Sequence, residues 1–200
     1  SGKTTTSKRI AVQLSVLGFE PMVISLDDYF LNRECTPRDE NGEYDFEALE
    51  ALDIEQFNKD LLALLDGEEV NIPTYDFVTG CRVMNPEKRL RLKSRSMLII
   101  EGIHALNPSL TPHIKDTQKF KIYVSALTSI AMDNMNRIAT TDNRLLRRMV
   151  RDNAYRGTSA VDTIKRWQSV RRGEDKHIFP YQEQADVVIN SAMIYELCVL

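Results

Sequence analysis

Short apolar runs alternate with helix-like periodicity along the 200 residues of this chain. Four of the runs are typical of strands in a parallel sheet, and they cover residues 22–26, 97–100, 120–124 and 185–189. Around the runs, apolar side chains recur every three or four residues, which indicates helices. The alternation predicts an α/β fold whose parallel strands are joined by right-handed crossovers.

The periodicity also places the expected helices. The first follows the N-terminal residues and ends at Gly18, and one or two more lie within residues 46–65. Three later helical stretches are expected at residues 128–139, 142–155 and 160–171.

A different strand pattern occupies residues 70–75 and 89–93, where polar and apolar side chains alternate. Such alternation predicts two small antiparallel strands flanking a loop, a β-hairpin inserted over residues 70–93. Pro73 favours an edge position, because proline has no N–H to donate to a neighbouring strand.

Composition and charge limit the classes of function. The chain is 42% hydrophobic, which suffices for one core, so residues 1–200 are expected to form a single domain. A net charge of -3 offers no general attraction for nucleic acid. The three cysteines lie far apart without metal-binding spacing, which favours reduced thiols in a cytoplasmic protein. No apolar stretch is long enough to span a membrane.

Both ends of the sequence lie inside expected elements. The chain begins within a phosphate-binding motif, without the first glycine of that motif or its preceding strand, and it ends in an apolar run. We therefore interpret it as an excerpt truncated at both ends and expect other domains to flank it. The oligomeric state, including a homo-oligomer, stays open.

The first five residues match the second half of the motif G-x-x-x-x-G-K-[ST]. In that motif, backbone N–H groups at a helix N-terminus surround the phosphates of ATP, and the lysine reaches the β and γ phosphates. The following hydroxyl ligates Mg²⁺. The expected nucleotide-binding residues are Ser1, Gly2, Lys3, Thr4 and Thr5.

Oxygen-bearing side chains follow the expected strands at the carboxyl ends, where open parallel sheets bind ligands. Thr4, Asp27 and Glu101 hold these positions and are the candidate Mg²⁺ ligands, because this ion prefers oxygen. Asp27 is also the candidate base for the proton of an attacking hydroxyl. The alternatives are a turn or capping residue for Asp27 and a surface acid for Glu101.

Arginines are concentrated in the last third of the chain. Arg144, Arg147, Arg148 and Arg151 follow helical spacing and share one helix face. Crowded guanidinium groups repel one another unless an anion lies among them, so we expect Arg148, Arg151 and Arg156 to contact phosphate. We interpret Arg144 and Arg147 as part of a solvated face.

Four segments, taken in order, resemble the uridine kinase and phosphoribulokinase family of P-loop kinases, and in particular its bacterial uridine kinase-like members. The segments read S-G-K-T-T at 1–5, D-D-Y-F at 27–30, I-P-T-Y-D-F at 72–77 and I-I-E-G-I at 99–103. The resemblance implies a three-layer P-loop fold with a helical, arginine-rich lid over residues 142–172. It also implies phosphorylation of the 5′-hydroxyl of a nucleoside, with uridine as the expected substrate and with ATP and Mg²⁺ as cofactors.

The same resemblance assigns roles to single residues. It makes Asp27 the base for the 5′-hydroxyl and Glu101 a ligand that helps to hold Mg²⁺. It implies that Asp45 holds ribose hydroxyls, that Tyr75 lines the nucleoside pocket and that Phe77 packs beside it. The lid arginines that would meet phosphates are Arg148, Arg151 and Arg156.

Two positions depart from the family's pattern. Gly80 stands where a histidine reads the pyrimidine edge, and Thr158 stands where an arginine is usual. A site without its polar reader discriminates less between bases. Two alternatives therefore stay open: a kinase for another nucleoside or a sugar phosphate, and a module that senses NTP without catalysis.

Overall fold

The computed structural model describes residues 2–127, 133–193 and 195–199. The helices in these ranges are α1 (Lys3–Val16), α2 (Ile54–Leu65), α3 (Thr140–Arg156) and α4 (Ala160–His177). The strands are β1 (Glu20–Ser25), β2 (Glu69–Asp76), β3 (Cys81–Arg91), β4 (Ser96–Glu101), β5 (Ile122–Ser125) and β6 (Val187–Asn190). Within the described ranges, no helix is long and apolar enough to cross a membrane.

Parallel pairing of β1 with β4 fixes the level at which both strands end. Glu20 pairs with Ser96 at one end, and Ser25 pairs with Glu101 at the other. The segments that follow the two strands therefore leave from the same edge. β5 and β6 form a second parallel pair. Parallel strands flanked by helices confirm the predicted α/β class.

The hairpin of β2 and β3 is longer than the sequence pattern suggested. The two strands run antiparallel up to a turn at residues 77–80, whereas a wider loop was expected. Residues 81–88 of β3 were not predicted, because most of the side chains in this strand are exposed on both faces and these residues carry no apolar alternation. Pro73 lies at an irregularity in the register, where its missing N–H disturbs the ladder least.

Helix α2 closes the core under the turn that follows β1. The carboxylate of Asp53 accepts the backbone N–H of Gln56 at 3.0 Å and caps the helix. Phe57 meets the ring of Tyr29 edge-on at 5.1 Å between centroids, and the Tyr29 hydroxyl donates to Asp60 at 2.9 Å. Of the one or two helices expected within residues 46–65, the structure forms α2 and a short 3-10 turn at Leu49–Ala51.

The helical part of the last third differs from expectation before α3. Residues 128–132 of the expected helix 128–139 lie outside the described residues, and residues 133–139 are not helical. The Asp133 carboxylate accepts the backbone N–H groups of Met135 and Asn136, which offers the chain a turn in place of a helix. α3 then begins at Thr140, and α4 continues to His177 instead of ending near residue 171.

The imidazole of His104 is fully buried against the end of α4. Its relative exposure is 0%, and its ring centroid lies 5.8 Å from that of His177. Burial, and after it the neighbouring His177, lower the pKa of His104 from 6.5 to about 4. The folded protein therefore keeps this imidazole neutral at pH values where the unfolded chain takes up a proton.

Because folding lowers the pKa of His104, the free energy of unfolding decreases as the pH falls. From about pH 7 to pH 5, we expect His104 to remove about 2 kcal/mol from the free energy of unfolding, because only the unfolded state gains the proton there. Urea unfolding at both pH values measures the loss. His104→Phe should remove this part of the pH dependence, whereas the exposed His113→Gln should retain it. An identical pH dependence in His104→Phe would contradict the prediction.

Candidate active site

One large cavity opens where β1 and β4 end. Its volume is about 1640 Å³, more than the ~300–1,000 Å³ that usually holds one small ligand. Its lining also includes residues 97–101 of β4 and 122–125 of β5. The predicted site residues on its wall are Gly2, Lys3, Asp27, Tyr75, Phe77, Glu101, Arg148, Arg151 and Arg156.

The N-terminus of α1 forms the positive end of this cavity. Gly2 precedes the helix with φ +79°, a left-handed conformation that favours glycine. Burial of its ammonium group lowers the pKa of Lys3, while the carboxylates of Asp27 and Glu101 act in the opposite direction. Helix N–H groups beside a lysine are a suitable arrangement for phosphate.

Thr4 and Glu101 meet across the first helix and the end of β4. The Thr4 hydroxyl donates to Glu101 Oε1 at 2.7 Å, and the Ser25 hydroxyl donates to the same oxygen at 3.1 Å. Among the described residues, no group of three or more His, Cys, Asp or Glu side chains could hold a metal. A hydroxyl next to a carboxylate nevertheless fits Mg²⁺, which takes few protein ligands and keeps several waters.

Asp27 lies in the 3-10 turn Leu26–Tyr29, directly after β1. Its Oδ2 is 3.5 Å from Nη2 of Arg156, the last residue of α3. The same guanidinium lies 4.1 Å from the ring centroid of Phe77. Burial, followed by the charge of Arg151, lowers the pKa of Arg156, although a guanidinium stays protonated in proteins. Arg156 thus connects the candidate base with the aromatic wall.

A buried carboxylate organises the arginines of α3. Asp152 Oδ1 lies 2.7 Å from Nε of Arg151 and 3.8 Å from Nε of Arg156, and its Oδ2 lies 3.3 Å from Nε of Arg148. Arg148 also reaches Glu47 Oε1 at 3.4 Å. Sequence reasoning missed both acids. The i, i+4 spacing from Arg148 could have indicated Asp152, but nothing in the sequence signals Glu47, 101 residues away from Arg148.

Aromatic rings form another part of the wall. The ring centroids of Tyr75 and Phe77 are 5.1 Å apart, and Phe30 lies 5.6 Å from Tyr75. Asp45 is not among the lining residues. Its Oδ1 accepts the backbone N–H of Glu47 at 3.1 Å, and the nearby residues that do line the cavity are Tyr44, Phe46 and Glu47. That Asp45 holds ribose hydroxyls stays a prediction.

Three residues of the expected nucleotide loop, Ser1, Thr4 and Thr5, are not among the residues that line the cavity. Ser1 lies outside the described residues. Thr4 and Thr5 are exposed on α1, whereas Thr6 and Ser7 line the cavity. The reason is geometric: successive residues of a helix point about 100° apart, so five consecutive residues cannot all face one cavity. Thr4 reaches the site through its hydrogen bond to Glu101.

A model of the phosphoribulokinase / uridine kinase family matches residues 1–196. The chain belongs to this family. Among curated relatives, the uridine kinase of Saccharomyces cerevisiae is 31% identical over 194 residues, which are 96% of this chain and 35% of the yeast protein. The uridine kinase of Macrococcus caseolyticus is 30% identical over 190 residues, which are 94% of this chain and 82% of that protein.

Solved structures show the same fold for this member of the phosphoribulokinase / uridine kinase family. A possible uridine kinase from Bacillus stearothermophilus has a TM-score of 0.56 at 19% identity and covers 94% of this chain and 82% of its own. A provisionally named fructose transport system kinase from Silicibacter sp. TM1040 has a TM-score of 0.60 at 17% identity, with 94% and 84% covered. The chain is a P-loop kinase, and the kinase family implies the use of ATP.

The prediction for two arginines of this family member was wrong. Arg144 and Arg147 were expected on a solvated helix face, but their side chains are only 19% and 21% exposed. Arg144 pairs with Glu174 of α4, and Arg147 pairs with Glu196. The sequence could not show this because both acids come from segments that pack against α3 only in the folded chain. These two arginines join α3 to α4 and to the segment that contains Glu196.

Proposed function

We propose that this P-loop kinase transfers the γ-phosphoryl group of ATP to the 5′-hydroxyl of a nucleoside, with uridine as the first candidate. The observation that carries the proposal is the contact between Arg156 and Asp27, 3.5 Å apart in a cavity that Lys3 also lines. A cation for phosphate thus lies next to an acceptor for the hydroxyl proton. The curated relatives named uridine kinase support the choice of substrate.

Each residue then has a task in the transfer. The N–H groups of α1 and the Lys3 ammonium bind the phosphates of ATP. Thr4 and Glu101, with Asp27 as the third predicted ligand, would hold Mg²⁺, which neutralises charge on the phosphates when bound. Asp27 accepts the proton of the substrate hydroxyl as it attacks, a contribution of roughly 10²–10⁴-fold for a positioned base.

The arginines of α3 supply the remaining positive charge. Asp152 and Glu47 hold Arg148, Arg151 and Arg156 at the cavity wall. Guanidinium groups fixed in this way need little reorganisation to stabilise the charge that develops on the phosphoryl group in the transition state. The lid helices also exclude water, which limits wasteful hydrolysis of ATP.

A second candidate is a kinase for a different hydroxylated metabolite, such as another nucleoside or a sugar phosphate. Gly80 favours it, because this position offers no side chain to read a base. A module that only senses NTP is less well supported. Binding alone has no need of a carboxylate at position 27 within reach of a lid arginine.

Formation of ADP distinguishes these functions. We expect the protein with ATP and Mg²⁺ to form ADP at least about tenfold faster when uridine is added than when it is absent. A panel of ribonucleosides, sugars and sugar phosphates at equal concentration tests the substrate class. A sensor would bind ATP and show no acceleration with any of them, and a sugar kinase would respond to a sugar and not to a nucleoside.

A further inference from the structure

The side chain of Arg33 occupies the space beside Gly80. A Cβ built on Gly80 would lie 2.7 Å from both Cζ and Nε of Arg33, closer than non-bonded atoms approach. Gly80 also has φ +74°, which other residues adopt at a cost. A side chain at position 80 and the guanidinium of Arg33 therefore exclude each other.

Hydrogen bonds hold Arg33 in this place. Its backbone N–H donates to the carbonyl of Gly80 at 2.8 Å, and its Nη2 donates to the carbonyl of Phe77 at 2.8 Å. Next to it, Asn32 Oδ1 accepts the backbone N–H of Arg82 at 2.9 Å. The short turn Arg33–Cys35 is therefore fixed to the tip of the β2–β3 hairpin.

The guanidinium also belongs to the aromatic part of the cavity wall. Arg33 lines the cavity together with Phe30, Tyr75 and Phe77. Burial raises the pKa of Tyr75, and both the charge of Arg33 and a hydrogen bond from it act against that rise. Contact with the Tyr75 hydroxyl and the Phe77 carbonyl engages part of the guanidinium, which carries five N–H donors and no acceptor.

Flat rings beside a group that only donates suit a flat ligand with acceptor atoms on its edge. A base carbonyl is such an acceptor, and a charged donor that loses its partner typically costs more than a neutral one. An exocyclic amine donates instead of accepting, so it would meet Arg33 unfavourably. The wall therefore suits uracil, which presents two carbonyls, better than adenine, whose acceptors are ring nitrogens and whose exocyclic amine also donates.

We propose that Arg33 recognises the base of the nucleoside by donating a hydrogen bond to a carbonyl oxygen of the pyrimidine, in the space that a side chain at position 80 would need. This inference rests on the proposed nucleoside kinase function and makes Arg33 a determinant of base specificity. The assignment of Arg33 does not affect the roles proposed for the phosphate-transfer residues.

Arg33→Met tests the assignment in steady-state kinetics with ATP and uridine. We expect the KM for uridine to rise about 10- to 100-fold, as for loss of a hydrogen bond from a charged group, with the KM for ATP within about threefold of wild type. Arg33 is exposed, so its loss should leave the fold intact, which thermal unfolding checks. Arg89→Met is the matched control, because Arg89 forms an exposed ion pair with Glu69 on the same hairpin.

Two uridine analogues, each lacking one base carbonyl, separate recognition from a merely structural role. Wild type should use one of them about tenfold less efficiently than uridine, and Arg33→Met should treat that analogue and uridine alike. A variant that still discriminates as wild type does would overturn the inference.

Failure of this inference can be told apart from failure of the proposed function. If the wild-type protein forms no ADP in response to any nucleoside, the proposed function fails, and the assignment of Arg33 fails with it. If wild type uses uridine and Arg33→Met keeps the same KM, only the assignment of Arg33 fails.

Discussion

Asp27→Asn should lower kcat for nucleoside phosphorylation by about 10³-fold while the dissociation constant for ATP stays nearly unchanged. The amide has the shape of the carboxylate but cannot accept a proton at neutral pH. The substitution also weakens the contact with Arg156, yet that pair is partly exposed, with 41% of the Asp27 side chain accessible, so the loss in stability should be small. Initial rates and calorimetric titration with ATP measure the two quantities.

Asp28→Asn is the matched control for Asp27. The Asp28 carboxylate is 2.5 Å from Nζ of Lys88 and accepts the backbone N–H of Tyr75 at 3.4 Å, so it holds the hairpin and is not on the cavity wall. We expect this variant to unfold more easily but to keep kcat within about threefold of wild type. Equal losses of kcat in the two variants, or near-normal turnover in Asp27→Asn, would refute the base assignment.

Lys3→Met should lower kcat/KM for ATP by about 10²–10³-fold, the usual effect of removing one preorganised donor from a developing charge. Lys3 interacts electrostatically with Asp27 and Glu101 on the same wall. Without the ammonium group, the negative charge of these carboxylates would repel the triphosphate. The affinity for ATP should therefore fall together with the rate of the chemical step.

Lys8→Met provides the comparison for Lys3, because it removes an exposed lysine from the same helix. Its rates and its ATP affinity should match those of wild type. Titration with ATP and initial rates should be run on both variants. Wild-type affinity and rate in Lys3→Met would show that the N-terminus of α1 is not where ATP phosphates bind.

Local patterns were enough to predict the elements around the site. Apolar runs indicate buried strands, and residues that follow parallel strands lie at one edge of the sheet. The sequence alone therefore predicted that Asp27 and Glu101 lie near Lys3. The helical spacing of the α3 arginines placed them correctly on one helix. These predictions hold because each depends on a few neighbouring residues or on a general rule of sheet topology.

Contacts between distant segments could not be predicted in the same way. Nothing in the sequence pairs Glu47 with Arg148, or sets Arg33 against Gly80, because these contacts depend on how the loops pack. A sequence motif can also include a residue that does not face the site. Thr5 belongs to the motif, but the first turn of α1 directs it to solvent. A motif indicates the chemistry of a segment, and the packing of the chain determines which residues of the motif reach the ligand.

Arg156 has to serve two negatively charged partners, the Asp27 carboxylate beside it and the phosphate that we assign to it. One guanidinium shared between them serves each less fully than it would serve either alone. When nucleotide draws this cation towards itself, the carboxylate becomes a better proton acceptor. The order of substrate addition should therefore matter, with ATP entering before the alcohol that it phosphorylates.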